Sequence, residues 1–204
     1  MESNPDFSNI LDKNEQTLWT GKPSTIPFVF QGVPFLILVL CWGAFDYFGF
    51  IRHMSGSHMD GFMIPFFALH LFPFWGSIGY MIWLVLDKAN VRYAFTNRRL
   101  LIRSGVVGIS FKALDYDRIQ ELDVTVNPIE KMLQVGSIRA FSGQTTSKGS
   151  PIYDRFVGIA DPYGVYKQIK QVSIDIKADL NYPNALRPSQ NPGYPTSYQP
   201  PDSV

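Results

Sequence analysis

Two long apolar runs dominate the first half of this 204-residue chain and restrict what it can fold into. Residues 26–51 contain one charged side chain, Asp46, and residues 61–86 contain no Asp, Glu, Lys or Arg. Because an α-helix rises about 1.5 Å per residue, either run could cross a hydrocarbon core of roughly 30 Å. The alternative, a pair of buried core helices, would leave too little chain to cover them on all sides. The sequence therefore predicts a transmembrane two-helix hairpin, with transmembrane helices at 26–51 and 61–86 and an external loop at 52–60.

Positively charged residues near the two runs indicate an orientation. Seven Lys and Arg residues flank the outer ends of the runs, whereas the loop between them carries Arg52 alone. Lys and Arg are retained on the cytoplasmic side of a membrane, so this asymmetry predicts that both termini are cytoplasmic. We expect a multi-pass protein of the cell membrane, with a cytoplasmic leader at 1–25 and a cytoplasmic domain that begins at residue 87.

The second half of the chain has the pattern of an antiparallel sheet followed by one helix. From residue 90 onwards, short alternating apolar segments are separated by turn residues, which is typical of antiparallel strands. Asp161 and Pro162 then form a helix start. An apolar face follows at spacings of four, three and four residues, at Val165, Ile169, Val172 and Ile176. These patterns predict an α+β domain at 87–180 that ends with an amphipathic helix.

Several short strings carry a resemblance to a known family of domains. In chain order they are EQTLWTGKPS at 15–24, YAFTNRRLLIRSG at 93–105, IQELDV at 119–124, NPIEKML at 127–133 with VGSI at 135–138, and GIADPYGVY at 158–166. Together they resemble the bacterial pleckstrin-homology (PH) domain family, in its membrane-anchored type with two N-terminal transmembrane helices. The resemblance implies a PH-like bent antiparallel sheet or partly open barrel with a C-terminal capping helix. It also implies a binding or scaffolding function.

A group of basic residues in the first hairpin is the candidate binding site. Its members are Arg98, Arg99, Arg103 and Lys112, and residues 87–204 as a whole carry 15 Lys and Arg against 11 acidic residues. Each basic side chain near an anionic membrane contributes about 1 kcal/mol, so contact with lipid headgroups is one prediction. The alternative is that these arginines only set topology and solubilise the hairpin. The chain lacks the dense basic signature of phosphoinositide-binding PH domains, so specific inositide recognition is not expected.

Two ionisable residues within the apolar runs form a second candidate site. Asp46 and His70 would be intramembrane polar groups, which are costly unless they are paired or face water, and each is therefore a functional candidate. The alternative places Asp46 near the outer interface, in reach of water, and bonds a neutral His70 to a helix carbonyl.

The sequence predicts neither an enzyme nor a metal or cofactor site. The acidic group at 115–123 has no histidine in the same domain to act as a base at neutral pH. No G-x-S-x-G, Walker, H-E-x-x-H or C-x-x-C string occurs, and the single cysteine, Cys41, excludes an internal disulfide. A net charge of +1 also argues against a nucleic-acid partner.

The remaining predictions concern the tail and the overall role. Residues 181–204 contain six Pro and three Tyr and predict a disordered Pro/Tyr-rich tail. The chain as a whole is interpreted as an integral membrane protein that presents a cytoplasmic PH-like binding or scaffolding domain at the bilayer surface. Its expected partners are membrane lipids or an unidentified membrane or cytoplasmic protein, with homo-oligomer formation as a further option. The alternative is a small transporter or accessory subunit, in which the hairpin is the functional part and the PH-like domain regulates it.

Overall fold

The chain divides into two units in the computed structural model, which describes residues 7–49, 52 and 63–181. One unit, the sheet unit, takes Met1–Ser24 and Asn90–Val204, and the other, the helical unit, takes Thr25–Ala89. Residues 182–204 of the predicted tail and 53–60 of the predicted loop lie outside the described residues.

Strands and helices follow one another in an order that places one strand before the helical unit. The strands are β1 Thr17–Gly21, β2 Arg92–Thr96, β3 Arg99–Ser104, β4 Ser110–Asp115, β5 Glu121–Thr125, β6 Val135–Thr145 and β7 Pro151–Ala160. The helices are α1 Thr25–Phe30, α2 Val33–Gly49, α3 Met63–His70, α4 Phe72–Asn90, α5 Pro128–Met132 and α6 Pro162–Asn181, with a short 3-10 helix at Tyr116–Arg118.

The sheet unit contains two antiparallel sheets and a closing helix. One sheet has the strand order β1-β2-β3-β4 and the other the order β5-β6-β7. Helix α6 packs against β5, β6 and the 3-10 helix that follows β4. The predicted α+β fold with antiparallel strands and a C-terminal helix is therefore confirmed, and the strands form two sheets rather than a closed barrel.

Strand β1 comes from the segment that the sequence analysis assigned to a leader. It pairs with β2 along the register Trp19 to Phe95 and Gly21 to Tyr93. The Trp19 ring stacks on Phe95 with 5.9 Å between centroids and on Phe156 of β7 with 6.0 Å. Large apolar area is thus buried between the two sheets, and the strand before the helical unit contributes to it directly.

The outer face of the first sheet is covered as well. Successive side chains of β2 point to opposite faces, so Ala94 lies on the face opposite Tyr93 and Phe95. Ala94 and Leu101 are fully buried against Phe7, with Ile10 and Leu11 packed around them. Residues before β1 therefore form a lid on this face, which explains why β2 is buried on both sides.

Helix α6 follows the predicted apolar face. Its first turn is capped by Asp161, whose Oδ1 accepts a hydrogen bond from the Gly164 N–H at 3.0 Å. Val165, Ile169 and Ile176 are buried. Since these residues are spaced at about one helical turn, a single stripe of the helix packs on the sheets.

The described parts of the two apolar runs form four helices, α1 to α4. None of the helices in the described parts of the chain combines the length and the apolar character that crossing a membrane requires. The structure therefore does not support the predicted transmembrane hairpin at 26–51 and 61–86. The predicted multi-pass localisation in the cell membrane with cytoplasmic termini is wrong on the same finding.

Prolines explain why the runs are broken. Pro34 and Pro73 each stand second in their helix, a position that tolerates a missing N–H, but neither can donate to the carbonyl four residues earlier. The breaks fall just before them, at Gly32 and Leu71. Helix α2 consequently has 17 residues, or about 26 Å of rise, and α4 reaches charged side chains at its end.

The helical unit nevertheless exposes many large apolar side chains. Those that are more than half exposed include Ile37, Leu38, Phe45, Phe48, Leu69, Phe72, Trp75 and Ile82. Exposed apolar area on this scale marks an interaction surface.

The turn between β3 and β4 depends on one glycine. Gly105 has a φ of +121°, and a Cβ at this position would collide with the carbonyl oxygen of Gly108. We expect Gly105→Ala to destabilise the protein by about 1–3 kcal/mol, because the turn must either strain or open. Urea unfolding measures the loss, with Gly108→Ala as the control, since no atom lies within 4 Å of a Cβ there. Equal unfolding midpoints for the two variants would contradict the prediction.

Candidate functional site

The four basic residues predicted from the first hairpin do not form one cluster. Arg99 begins β3, whereas Arg103 lies four positions later, which corresponds to roughly 13 Å along a strand. Lys112 lies on β4 opposite Ile102. The structure therefore places Arg98 and Arg99 at one end of the sheet, and Arg103 and Lys112 towards the other.

Arg99 is held by a buried carboxylate from the N-terminal segment. Its Nη2 donates to Glu15 Oε2 at 2.7 Å and its Nε donates to Glu15 Oε1 at 3.0 Å. The Glu15 side chain is fully buried, and it also accepts hydrogen bonds from the Asp12 N–H and the Thr96 hydroxyl. Nearly all of the hydrogen-bonding capacity of this carboxylate is thus used inside the protein.

Both members of this pair are charged at neutral pH. Burial would raise the pKa of Glu15, but the hydrogen bonds from Arg99, from the Asp12 N–H and from Thr96 outweigh that effect and hold the pKa below its usual range. The hydrogen bond to Glu15 raises the pKa of Arg99. The pair fixes the segment before β1 to the start of β3, which is a structural role.

Arg98 lies beside the same N-terminal segment. Its Nη1 is 3.9 Å from Asp12 Oδ2, and the Asp12 side chain is more than half exposed. Glu15 lies in one of the family-like strings, but its partner could not be predicted, because Glu15 and Arg99 are 84 positions apart. A pairing over that distance has no local pattern.

Arg103 and Lys112 lie near the opposite end of the sheet unit, where several turns meet. Lys112 forms an ion pair with Asp154 of β7, which links the free sides of the two sheets. Lys112 lies close to the start of β4, and Asp154 lies close to the start of β7. The turns that precede these strands, at 105–109 and 146–150, are therefore at the same end of the sheet unit. We call this region the loop end. It comprises the two turns and the strand residues next to them.

Apolar side chains are unusually exposed at the loop end. Val107 is 93% exposed and Ile109 is 63% exposed, and Phe111 and Ile152 are exposed beside them. Three basic residues belong to the same region, Arg103 and Lys112 on the strands and the exposed Lys148 in the second turn. These residues were not predicted as a site, because a short apolar segment next to glycines resembles the strands around it in the sequence.

The gap between the two sheets is too small to be a ligand pocket. It has a volume of about 10 Å³ and is lined by side chains such as Ile102, Leu114 and Phe156, with the Lys112 and Asp154 pair at its edge. That volume is about the space of one water molecule. This gap therefore does not accommodate a ligand.

Asp46 and His70 are brought together in the helical unit. Asp46 Oδ1 and His70 Nε2 are 3.2 Å apart, so the two residues singled out from separate apolar runs form one pair. No helix in the described ranges has the length and apolar character of a span, so the structure does not support the prediction that these are intramembrane groups.

The family of the chain follows from a comparison of its sequence with known domains. The profile described as "Bacterial PH domain" matches residues 30–173. The chain belongs to the bacterial PH domain family. This membership confirms the resemblance to the bacterial PH domain family, but not to its membrane-anchored type with two transmembrane helices. At the level of the family, it indicates a binding or scaffolding role.

Comparisons with individual proteins add little to this assignment. A solved structure similar to this bacterial PH domain is a DUF1696 family protein with a pleckstrin-homology domain from Shewanella loihica. The two are 14% identical, the alignment covers 82% of this chain and 90% of the other, and the TM-score is 0.38. No curated protein matches the chain. The expectations of no catalytic activity, no nucleic-acid partner and an optional homo-oligomer stay predictions for this bacterial PH domain.

Proposed function

We propose that the sheet unit of this bacterial PH domain is a non-enzymatic binding module that contacts anionic lipid through its loop end. The observation that supports the proposal is the exposure of Val107, which leaves a valine at the tip of a turn almost entirely in water. Burying an aliphatic side chain of this size contributes about 1.5–3 kcal/mol. A turn tip with such side chains is therefore suited to enter an apolar layer.

Charge near the turn favours an anionic surface. Arg103 and Lys148 lie at the loop end, and each basic residue close to an anionic surface contributes about 1 kcal/mol. Lys112 contributes less, because Asp154 already pairs with it. Arg98 and Arg99 lie at the other end of the sheet, beside the acidic residues of the N-terminal segment, so they are not part of the proposed contact. The result would be weak and salt-dependent binding.

A protein partner is the other class of ligand that the family role allows. An exposed apolar tip with a basic rim would also suit an acidic protein surface. Binding to vesicles that contain no protein separates the two classes of ligand.

A fluorescent probe at the loop end tests the proposal without interference from the helical unit. Cys41 is the single cysteine, so Cys41→Ser allows an environment-sensitive dye to be attached at Ser147→Cys, within the second turn of the loop end. We expect a blue shift with anionic vesicles, none with neutral vesicles, and a loss of the shift as salt rises from about 0.05 to 0.5 M. A dye at Met132→Cys, an exposed position on α5, should not respond.

A matched pair of variants tests which side chains carry the contact. In the dye-labelled protein, we expect Val107→Ser with Ile109→Ser to weaken vesicle binding about tenfold or more. The control, Met132→Ser, also removes an exposed apolar side chain and should leave binding unchanged. A dye at 147 that is silent with both kinds of vesicle would overturn lipid binding and leave a protein partner as the ligand to seek.

A further inference from the structure

The outer face of the β5-β6-β7 sheet carries two arginines that the proposed function does not use. The side chains of Ile138 and Phe156 point inward, because they line the gap between the two sheets. Successive side chains of a strand point to opposite faces, so the neighbouring Arg139 and Arg155 lie on the outer face. The strand register places these two arginines directly opposite each other, on β6 and β7.

One of the two arginines lacks an acidic partner. Like charges directly opposite each other destabilise a sheet, so each guanidinium favours a nearby anion. The Arg139 Nη2 donates to Asp123 Oδ2 on β5 at 3.0 Å. Arg155 is exposed and forms no ion pair within the described part of the chain. Asp123 is two strands from Arg155, which corresponds to about 10 Å, so the uncompensated positive charge lies on β7.

An aromatic pair lies next to this charge on the same face. Phe141 and Tyr153 are directly opposite each other, with 5.4 Å between their ring centroids. The guanidinium carbon of Arg139 is 5.0 Å from the centroid of the Tyr153 ring, which holds that ring beside the arginines. Tyr153 precedes Arg155 by two residues, or about 7 Å along the strand. Both rings are partly exposed, so they offer an apolar surface beside an arginine, a combination typical of binding hot spots.

We propose that this outer face binds an organic carboxylate that carries an aromatic or apolar group close to its charge. The guanidinium of Arg155 donates two parallel N–H bonds to the carboxylate, for which its planar fork is matched in geometry. The apolar group packs on the rings of Phe141 and Tyr153.

The charges around the site favour an anion with a single charge. Arg139 and Arg155 repel a cation. Arg139 is already paired with Asp123, so one positive charge is available to a ligand. Glu121 is on the same face, but it lies opposite Phe141 on β5, two strands from the proposed carboxylate position. A ligand on the β7 side therefore avoids both acidic residues.

Two probes of nearly equal shape test the inference on the full chain. 3-Phenylpropanoate has the required carboxylate, and 3-phenylpropanamide replaces it by a neutral amide. We expect saturable binding of the carboxylate by ligand-observed NMR, and binding of the amide that is weaker by about tenfold or more. Equal affinities, or no saturable binding of the carboxylate, would overturn the proposal. A charge on β7 that only protects the edge of the sheet would give the second of these results.

A variant pair then assigns the binding to Arg155. Arg155→Gln keeps a polar side chain but removes the charge, and we expect it to weaken binding of 3-phenylpropanoate about tenfold. Arg118→Gln is the matched control, because Arg118 is an exposed arginine of the 3-10 helix, and it should leave binding unchanged. Unchanged binding in Arg155→Gln would overturn the proposal. If that variant does not fold, the comparison of carboxylate with amide on the unmodified chain decides the question.

A competition experiment identifies the source of the carboxylate, which is either a small acid or an acidic side chain of a protein. The competitors are a capped tripeptide with a glutamate between two phenylalanines and the same peptide with a glutamine in the centre. Displacement of 3-phenylpropanoate by the glutamate peptide alone would support the proposal with a protein as the source. Displacement by neither peptide would support it with a small acid as the source. Equal displacement by both peptides would show that the charge is not recognised and would contradict the proposal.

Discussion

Ile169→Asp is expected to destabilise the sheet unit by several kcal/mol. Ile169 is fully buried on the face of α6 that packs on the sheets. A carboxylate at this position would have to be buried without a partner or protonated, and either outcome removes a large part of the stability of a typical domain. Urea unfolding of the full chain, followed by circular dichroism, measures the effect.

The neighbouring position supplies the control for this variant. Gln168→Asp introduces the same charge on an exposed face of α6, and we expect it to change stability by about 0.5 kcal/mol or less. Similar losses in the two variants would mean that the charge itself, rather than its burial, causes the effect.

We expect Glu15→Gln to lower the free energy of unfolding by about 3–5 kcal/mol. The change leaves the mostly buried Arg99 guanidinium with the exposed Asp12 as its remaining acidic neighbour, so the buried part of the ion pair is broken. Asp12→Asn is the matched control, because Asp12 Oδ2 lies 3.2 Å from the same guanidinium but its side chain is 57% exposed. An exposed ion pair contributes about 0–1 kcal/mol. A loss in Asp12→Asn as large as that in Glu15→Gln would contradict the assignment.

The same pair gives stability a defined dependence on pH. The pKa of Glu15 is lower in the folded protein than in the unfolded chain, so the charged form stabilises the fold. Its contribution is fully present above the unfolded pKa of about 4.3 and is lost as the pH falls through the lower folded value. We expect Glu15→Gln to lack this component of acid destabilisation, which urea titrations between about pH 6 and 2.5 would detect.

Local patterns in the sequence were sufficient for the elements that depend on local periodicity. The stripe that includes Val165, Ile169 and Ile176 predicted α6, and alternation between turn residues predicted the strands after residue 90. Asn127 and Glu130 cap α5 through reciprocal hydrogen bonds, with Pro128 at its start, and these residues are close neighbours in the sequence.

Sequence predictions failed where one sequence signal was given more weight than another, or where the interacting residues are far apart in the chain. The apolar character of 26–51 and 61–86 outweighed the helix-breaking effect of Pro34 and Pro73, which was already visible in the sequence. The basic residues of the first hairpin are neighbours in the chain, but an extended strand separates its two ends. Glu15 and Arg99 come into contact only because strands that are distant in sequence pair in the fold.

The position of β1 before the helical unit has a consequence for how the chain folds. β1 is synthesised first, and its pairing partner β2 follows only after α1 to α4. The ion-pair partner of Glu15, Arg99, is likewise synthesised 84 positions later. Doubling the length of a closed loop adds only about 0.6 kcal/mol of entropy cost, but closing a long loop slows the folding step that needs it. We therefore expect β2 to β7 and α6 to assemble first and the N-terminal strand to dock last. Inserts of quite different length between Gly21 and Arg92 should leave the equilibrium stability of the sheets nearly unchanged while altering the rate of that final docking step.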